Sequence, residues 1–385
     1  MMADHPLIAA ARALAGTLGP RGPEIEALRR LPPDVATAMG EAGFYRMYIA
    51  ERIGGLEVSP TIAARVSEEL GAADASAAWV AFIGSTTGLA LARVSDEGTA
   101  EMFARPDTLL TGVFASLGVA TRVEGGFRVT GQWPWGSGSD NAAWIGGGCS
   151  IVEDGKALTN SNGTPRNHMI FFPAEDVTSL DTWHVSGLSG SGSTSFAVRD
   201  VFVPERRVSG YQVKAPPDRA LFRYPPFAIL AQGVSAVALG VARGALDEFA
   251  RLAARKGRGG ASAPMAGRPH VQIEVAKAEA RLRSARAWHY EAIAAAWDAA
   301  QRGGPLDIAL TRDLRTAVYH ATHEATSAVD VVYTLAGGAS VFRTSPLQRQ
   351  FRDIHVATQH FMVSPNILET AGRLFLGLET NTAGF

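Results

Sequence analysis

The segment Trp133-Pro134-Trp135-Gly136-Ser137-Gly138 sets two indole rings beside a Gly-Ser-Gly turn. Such a turn offers a flat apolar wall, a hydroxyl, and a backbone that a planar ligand can approach closely. The same tryptophans suit the core of a β domain equally well. Ser189-Gly190-Ser191-Gly192-Ser193 supplies hydroxyls and backbone N–H groups in a tight loop, a set fitted to phosphate oxygens or ring heteroatoms. Its spacing, G-x-x-G-x-G with no helical pattern behind it, is not a dinucleotide fingerprint. Near the end of the chain stand His355 and His360, whose imidazoles ordinarily titrate at about 6.5 and so accept or donate near neutral pH. His320 and His323, with Glu324, lie one helical turn apart, a spacing compatible with a metal. The order is not HExxH and no third ligand is evident, so no metal site is expected. Arg281, Arg283 and Arg286, with Arg251, Arg255 and Arg258 upstream, read mainly as surface arginines on helices.

These groups need elements to position them, and three textures follow one another. From about residue 4 to 110 the chain is alanine-rich, with apolar residues at helical spacing: Leu28, Val35 and Met39, then Ile62, Val66 and Leu70. Ile53-Gly54-Gly55-Leu56 breaks the pattern, and Ser59-Pro60 has the form of a helix start. From about 111 to 212 glycines and β-branched residues take over. Thr121 to Thr130 reads as a hairpin turning at Gly125-Gly126, and Ile145, Met169 to Phe172 and Phe196 to Val203 supply further strands, the last closed by Pro204. From about 225 helix returns in four stretches: Val237 to Ala254, Val271 to Ala300, Leu310 to Leu335 with Gly337-Gly338 at its end, and Asn366 to Glu379. Lys256 to Pro269, rich in Gly, Ser and Pro, reads as a mobile or ligand-covering loop. The expected plan is a helical domain over 1–110, a β domain over 111–215 and a helical bundle over 216–385.

Composition narrows the function. With 46% apolar and 19% charged residues the 385-residue chain has the balance of a folded protein. A net charge of −1 removes the usual driver of nucleic-acid binding. The lone Cys149 excludes an internal disulfide framework and any multi-cysteine metal site, and suggests a reducing compartment. Met1 to Arg12 lacks a basic segment followed by an apolar run, and no stretch of about 18 uninterrupted apolar residues occurs. No membrane span is expected, and a cytoplasmic location is.

The order of textures, together with four local signatures, resembles the acyl-CoA dehydrogenase superfamily over nearly the full chain. The signatures are Gly131 to Trp144, Trp183 to Ser193 with Asp200-Val201-Phe202-Val203-Pro204-Glu205, Leu335-Ala336-Gly337-Gly338, and Gln350-Phe351-Arg352-Asp353. The resemblance implies an α+β fold: an N-terminal helical domain, a small central β-barrel or sandwich, and a C-terminal four-helix bundle. Within the superfamily the chain is most similar to the two-component flavin-dependent monooxygenases, the phenol and 4-hydroxyphenylacetate hydroxylases among them. Their first motif resembles Trp-Pro-Phe-Ala-Ser-Gly, and a histidine follows their Arg-Asp pair. The dehydrogenases commonly place a carboxylate base after that pair, whereas Ile354 to Pro365 contains neither Asp nor Glu.

What the resemblance implies is a reduced flavin, FMNH2 or FADH2, that reacts with O2 to a C4a-hydroperoxide and hydroxylates a small aromatic or heteroatom-bearing substrate. His360 and Ser137 are the implied catalytic residues. Trp133, Trp135, Ser137, Gly138, Ser191, Gly192, Ser193, Gly337 and Gly338 are the implied flavin contacts, and His355 competes with His360. The implied partners are a separate flavin reductase and further copies of the chain, as a tetramer. An FAD-dependent acyl-CoA dehydrogenase and a catalytically silent binding protein are the alternatives.

Overall fold

The computed structural model describes residues 5–160, 163–255, 264–304, 306–382 and 384–385. Most of the Lys256–Pro269 loop expectation therefore lies outside the described residues.

Helix α1 (Pro6–Leu28) begins with proline at its first position and His5 accepting the Leu7 N–H. It ends on Arg29, whose φ of 54° takes the chain out of the helix. The next helix, α2 (Pro33–Glu41), starts afresh after Pro32. The helical spacing of Leu28, Val35 and Met39 thus bridges two helices, and Leu28 is exposed. Ile53-Gly54 is the expected turn, with Gly54 at φ 82°. Ser59 caps α3 (Pro60–Ala73) by accepting from the Ile62 N–H, as a serine before a proline does. Asp74 caps α4 (Ala75–Thr87) in the same way through the Ala77 N–H. A short α5 (Asp96–Met102) closes the first helical region.

Seven strands follow: β1 (Leu110–Val123), β2 (Gly126–Trp133), β3 (Trp144–Glu153), β4 (Lys156–Ala157), β5 (Asn167–Pro173), β6 (Thr178–Ser179) and β7 (Phe196–Pro204). They form one mixed sheet in the order β4-β3-β1-β2-β7-β6, with β5 also on β3. β1 and β2 are the expected hairpin, in register with Val123 opposite Gly126, so the two turn residues are Glu124 and Gly125. β1 runs parallel to β3, and its register slips between Val113 and Gly118.

Five longer helices and a short one complete the chain: α6 (Ala220–Arg223), α7 (Pro226–Ala254), α8 (Pro269–Arg302), α9 (Ile308–Ala336), α10 (Pro346–Ala357) and α11 (Asn366–Phe375). α7 packs on α3, α4 and α9, which joins the two helical regions through one apolar core. Two segments, Ala75–Arg93 and α7, are apolar and long enough to cross a membrane, but 83% and 89% of their windows are buried inside the protein. They are core helices here.

Candidate active site

The turn after β2 begins where the sheet stops. Trp133 is the last strand residue and is fully buried, stacked on Phe196 at 5.1 Å with its Nε1–H donating to the Gly148 carbonyl at 2.9 Å. Gly118, Gly131 and Gly147 lie against its ring, where any side chain would collide with it. The expectation that Trp133 contacts a cofactor is corrected: its ring is spent on the sheet core. Trp135 is the opposite case. Its φ is +60°, a conformation a bulky residue seldom adopts, and its side chain is 70% exposed. Gly138, at φ 77°, bends the chain back so that its N–H donates to the Ser191 carbonyl at 2.7 Å, while the Gly136 N–H donates to Thr194 at 2.9 Å. The two Gly/Ser segments are one surface.

Their hydroxyls form a chain whose direction can be deduced. Ser191 Oγ–H donates to the Leu188 carbonyl at 2.6 Å. Its proton being used, Ser193 must donate to Ser191 at 2.8 Å, and Ser137 in turn to Ser193 at 2.7 Å. The Trp79 Nε1–H donates to Ser137 Oγ at 3.1 Å. Every donor is consumed, so what Ser137 has left to offer is a lone pair. The whole set is buried.

Trp79 also links this chain to the end of α10. Its ring meets the His360 ring edge-on at 5.7 Å. His360 caps the short turn Phe361–Val363, with Nδ1 accepting from the Met362 N–H at 3.3 Å. Burial and the nearby Arg315 charge push the His360 pKa down to about 4, so the ring is neutral at pH 7. Since Nδ1 accepts, the proton sits on Nε2, which has no protein partner among the described residues. His360 therefore presents a donor. His355 points elsewhere: its Nε2 pairs with Asp330 on α9 at 2.9 Å and its ring lies against Phe351.

The Arg-Asp pair holds the loop that carries Ser191 and Ser193. Asp353 accepts from the Leu188 N–H at 2.7 Å, Arg352 donates to the Ser186 carbonyl, and Gly187 passes so close to Arg352 that no side chain would fit. No carboxylate is bonded to Trp79, Ser137 or His360 among the described residues.

Family models match both helical regions: acyl-CoA dehydrogenase, N-terminal domain, over residues 6–105, and acyl-CoA dehydrogenase, C-terminal domain, over residues 232–365. The indole-3-acetate monooxygenase of Pseudomonas putida is 35% identical to this chain across 92% of it and 89% of its own length. The chain belongs to the acyl-CoA dehydrogenase family. Its relatives place it on the monooxygenase side of that family. The oxygenase subunit HsaA, a flavin-dependent monooxygenase of Rhodococcus jostii, is 29% identical across 92% of this chain and 93% of its own. The solved structure of XiaF from Streptomyces sp., in complex with FADH2 and glycerol, superposes with a TM-score of 0.87 at 26% identity, covering 98% of this chain and 97% of that one.

As a member of this family the chain is a flavin-dependent oxidoreductase, and its residues fit the reduced cofactor. A reduced flavin carries an N–H donor at its reactive edge, for which the free lone pair of Ser137 would be an acceptor. The exposed ring of Trp135 would offer a flat apolar face. Gly337 and Gly338 are not brought to this surface within the chain. They end α9, Gly337 at φ 56°, with open space where a side chain would be. Several of the remaining candidates are absorbed structurally, and Arg258 lies outside the described residues. His320 lies against Trp288, and His323 against Tyr319 and the Val363 carbonyl. Arg286, Arg283 and Arg251 pair with Glu68, Glu279 and Glu248.

Trp79 was invisible to the sequence pattern. Nearly every residue of α4 is buried, so no face of that helix stands out, and the Trp79 partner lies 58 positions away.

Proposed function

We propose that this chain is the oxygenase component of a two-component system. It binds reduced flavin and O2 and hydroxylates a small aromatic or heteroatom-bearing substrate. The observation that carries the reading is the imidazole of His360, in place of a carboxylate, against the Trp79–Ser137 pair. The dehydrogenases commonly place there a base that takes a proton from carbon; a neutral ring with its proton on Nε2 is a donor instead. Bound reduced flavin supplies the electrons that activate O2.

The chain's own residues do the rest. Ser137 accepts from the flavin edge and is held in register by Trp79 and Ser193. Gly138, Ser191, Gly192 and Ser193 line the same surface, and Trp135 covers the ring plane. His360 donates to the oxygen or heteroatom at the reacting position, where a fixed donor stabilises developing negative charge. Burial of the hydroxyl chain keeps bulk water from competing.

A separate reductase is the source of the reduced flavin, which fits a cytoplasmic protein with a single cysteine. The chain works as a homo-oligomer, a tetramer, in which Gly337 and Gly338 reach a neighbouring copy's flavin. The exposed Val341 and Phe342 beside that turn, and Phe375 and Leu376 at the end of α11, support such contacts.

The test mixes the protein with chemically reduced FMN or FAD, O2 and a panel of phenols, indoles and thiophenes, and assays oxygenated product. Product that depends on reduced flavin is expected. Flavin bleached directly by an acyl-CoA, with no oxygenated product from any aromatic, would replace the reading with a dehydrogenase.

A further inference from the structure

An uncompensated charge in a protein interior is costly, so a buried guanidinium without an acid beside it calls for a reason. Arg315 on α9 is 1% exposed, and among the described residues no carboxylate pairs with it. Its Nη2 donates to the Met362 carbonyl at 3.2 Å. Its Nη1 donates to the Phe227 carbonyl at 3.1 Å and contacts Met362 Sδ at 3.2 Å. Its Nε has no hydrogen-bond partner among the described residues. Met362 is the residue whose N–H is taken by His360 Nδ1. One residue is thus gripped from both sides, by Arg315 at its carbonyl and sulfur and by His360 at its amide.

We propose that Arg315 is a positioning residue for the hydroxylation, locking His360, through Met362, into the tautomer that donates from Nε2. The inference rests on the role given to His360 above. The geometry works in two ways. Holding the Met362 carbonyl fixes the turn Phe361–Val363, so the Met362 N–H stays aimed at Nδ1 and excludes a proton there. The guanidinium also repels a second proton on the ring. Burial lowers the Arg315 pKa to about 10, which leaves it charged at neutral pH. The elements packed around His360 do not oppose this. α4 presents the uncharged Trp79, and α9 presents, besides Arg315, His323, which faces the Val363 carbonyl.

Nitrogen NMR of histidine-labelled full-length protein reads the tautomer and titration of His360 directly, with the signal identified by its loss in His360→Gln. The expected wild-type ring carries its proton on Nε2 and stays neutral well below the ordinary histidine range. Arg315→Gln, which keeps a donor but removes the charge, should raise the titration part of the way, burial still holding it below the ordinary value of about 6.5. Its product formation should fall roughly tenfold, the scale of one hydrogen bond to a charged group. Arg315→Lys, which keeps the charge, should retain the low titration.

A wild-type ring protonated on Nδ1, or titrating near the ordinary value, overturns the proposal with no variant needed. So does an Arg315→Gln protein with wild-type titration and turnover, or an Arg315→Lys protein that titrates like the Gln variant. If Arg315→Gln does not fold, the wild-type spectrum and the Lys variant decide. Unchanged turnover in His360→Ala would instead sink the proposed function while leaving the NMR result standing.

Discussion

Asp353 on α10 accepts a hydrogen bond from the Leu188 amide 165 residues earlier, and the Leu188 carbonyl in turn accepts from Ser191. A single carboxylate thereby anchors the hydroxyl chain that ends at Ser137. Asp353 is fully buried in company with Asp74, and burial, then the Asp74 charge, pushes its pKa up to about 7. The Leu188 N–H and the Arg349 and Arg352 charges pull the other way without cancelling this. Asp74 is raised as well, mainly by its own burial.

The sign of the pH dependence follows. Between the ordinary carboxylate value and about pH 7 the folded protein holds a proton on Asp353 that the unfolded chain has released. Rising pH across that window costs stability, and above it the loss levels off. Asp353→Asn keeps an acceptor for Leu188 and removes the titration. Its urea midpoint should fall less than wild type's from pH 5 to about 8. Asp353→Ala strands the Leu188 N–H and should lose roughly 1–3 kcal/mol at any pH. Parallel pH profiles for wild type and Asp353→Asn would show that Asp353 is ionised throughout.

Ser137 has one lone pair to give and no proton. A reduced flavin edge, with its N–H, fits that vacancy better than an oxidised edge, which needs a donor. Ser137→Ala should therefore weaken reduced flavin more than oxidised flavin, by about 1 kcal/mol of difference. Trp79→Phe, which removes the donor that orients Ser137, should shift the same ratio in the same direction. Anaerobic titration with both redox forms measures it; equal loss of both forms would mean the hydroxyl chain points the other way.

What the residues announced and what they hid divide along one line. The helix–strand–helix order, the Thr121–Thr130 hairpin, the Ser59 cap and the glycine end of α9 are local, set by neighbours within a few positions, and the structure has them where the pattern puts them. The active surface is assembled from residues with no local signature. Trp79 sits in a helix buried on nearly every face, and Arg315 is one arginine among many. α10, only 12 residues long, lacks the length for a clear period and was not expected as a separate helix. Of the two tryptophans in Trp133-Pro134-Trp135, only coordinates tell which is core.

His360 gives a second pH prediction of opposite sign. Its pKa is held at about 4, mainly by burial, against an ordinary histidine value near 6.5. The folded state resists a proton that the unfolded chain accepts, so its contribution is present above the ordinary value and is lost as pH falls through about 4. Product formation should accordingly show no acid limb from this group between pH 5 and about 7. His360→Ala should cut product by about a hundredfold or more with flavin binding intact, the low end for loss of a positioned proton-donating group. A limb near 6.5 that vanishes in His360→Ala would show that the ring titrates normally and that the site is wetter than its packing implies.

The two tryptophans flanking Pro134 should respond in opposite ways to truncation. Trp133 fills the sheet core, with its N–H satisfied and three glycines shaped around it. Trp133→Ala should cost about 3–5 kcal/mol, and Trp133→Phe less, the penalty lying in unfolding rather than in ligand affinity at permissive temperature. Trp135 is held at φ +60° with most of its ring in the open, a backbone state costing an L-residue roughly 1–2 kcal/mol and glycine little. Trp135→Gly should therefore leave the melting temperature unchanged or raise it, while reduced flavin binds more weakly. A strained residue is kept only where something other than the fold requires it. A Trp135→Gly protein that is both more stable and unimpaired in flavin affinity would show that the exposed indole has no part in the site.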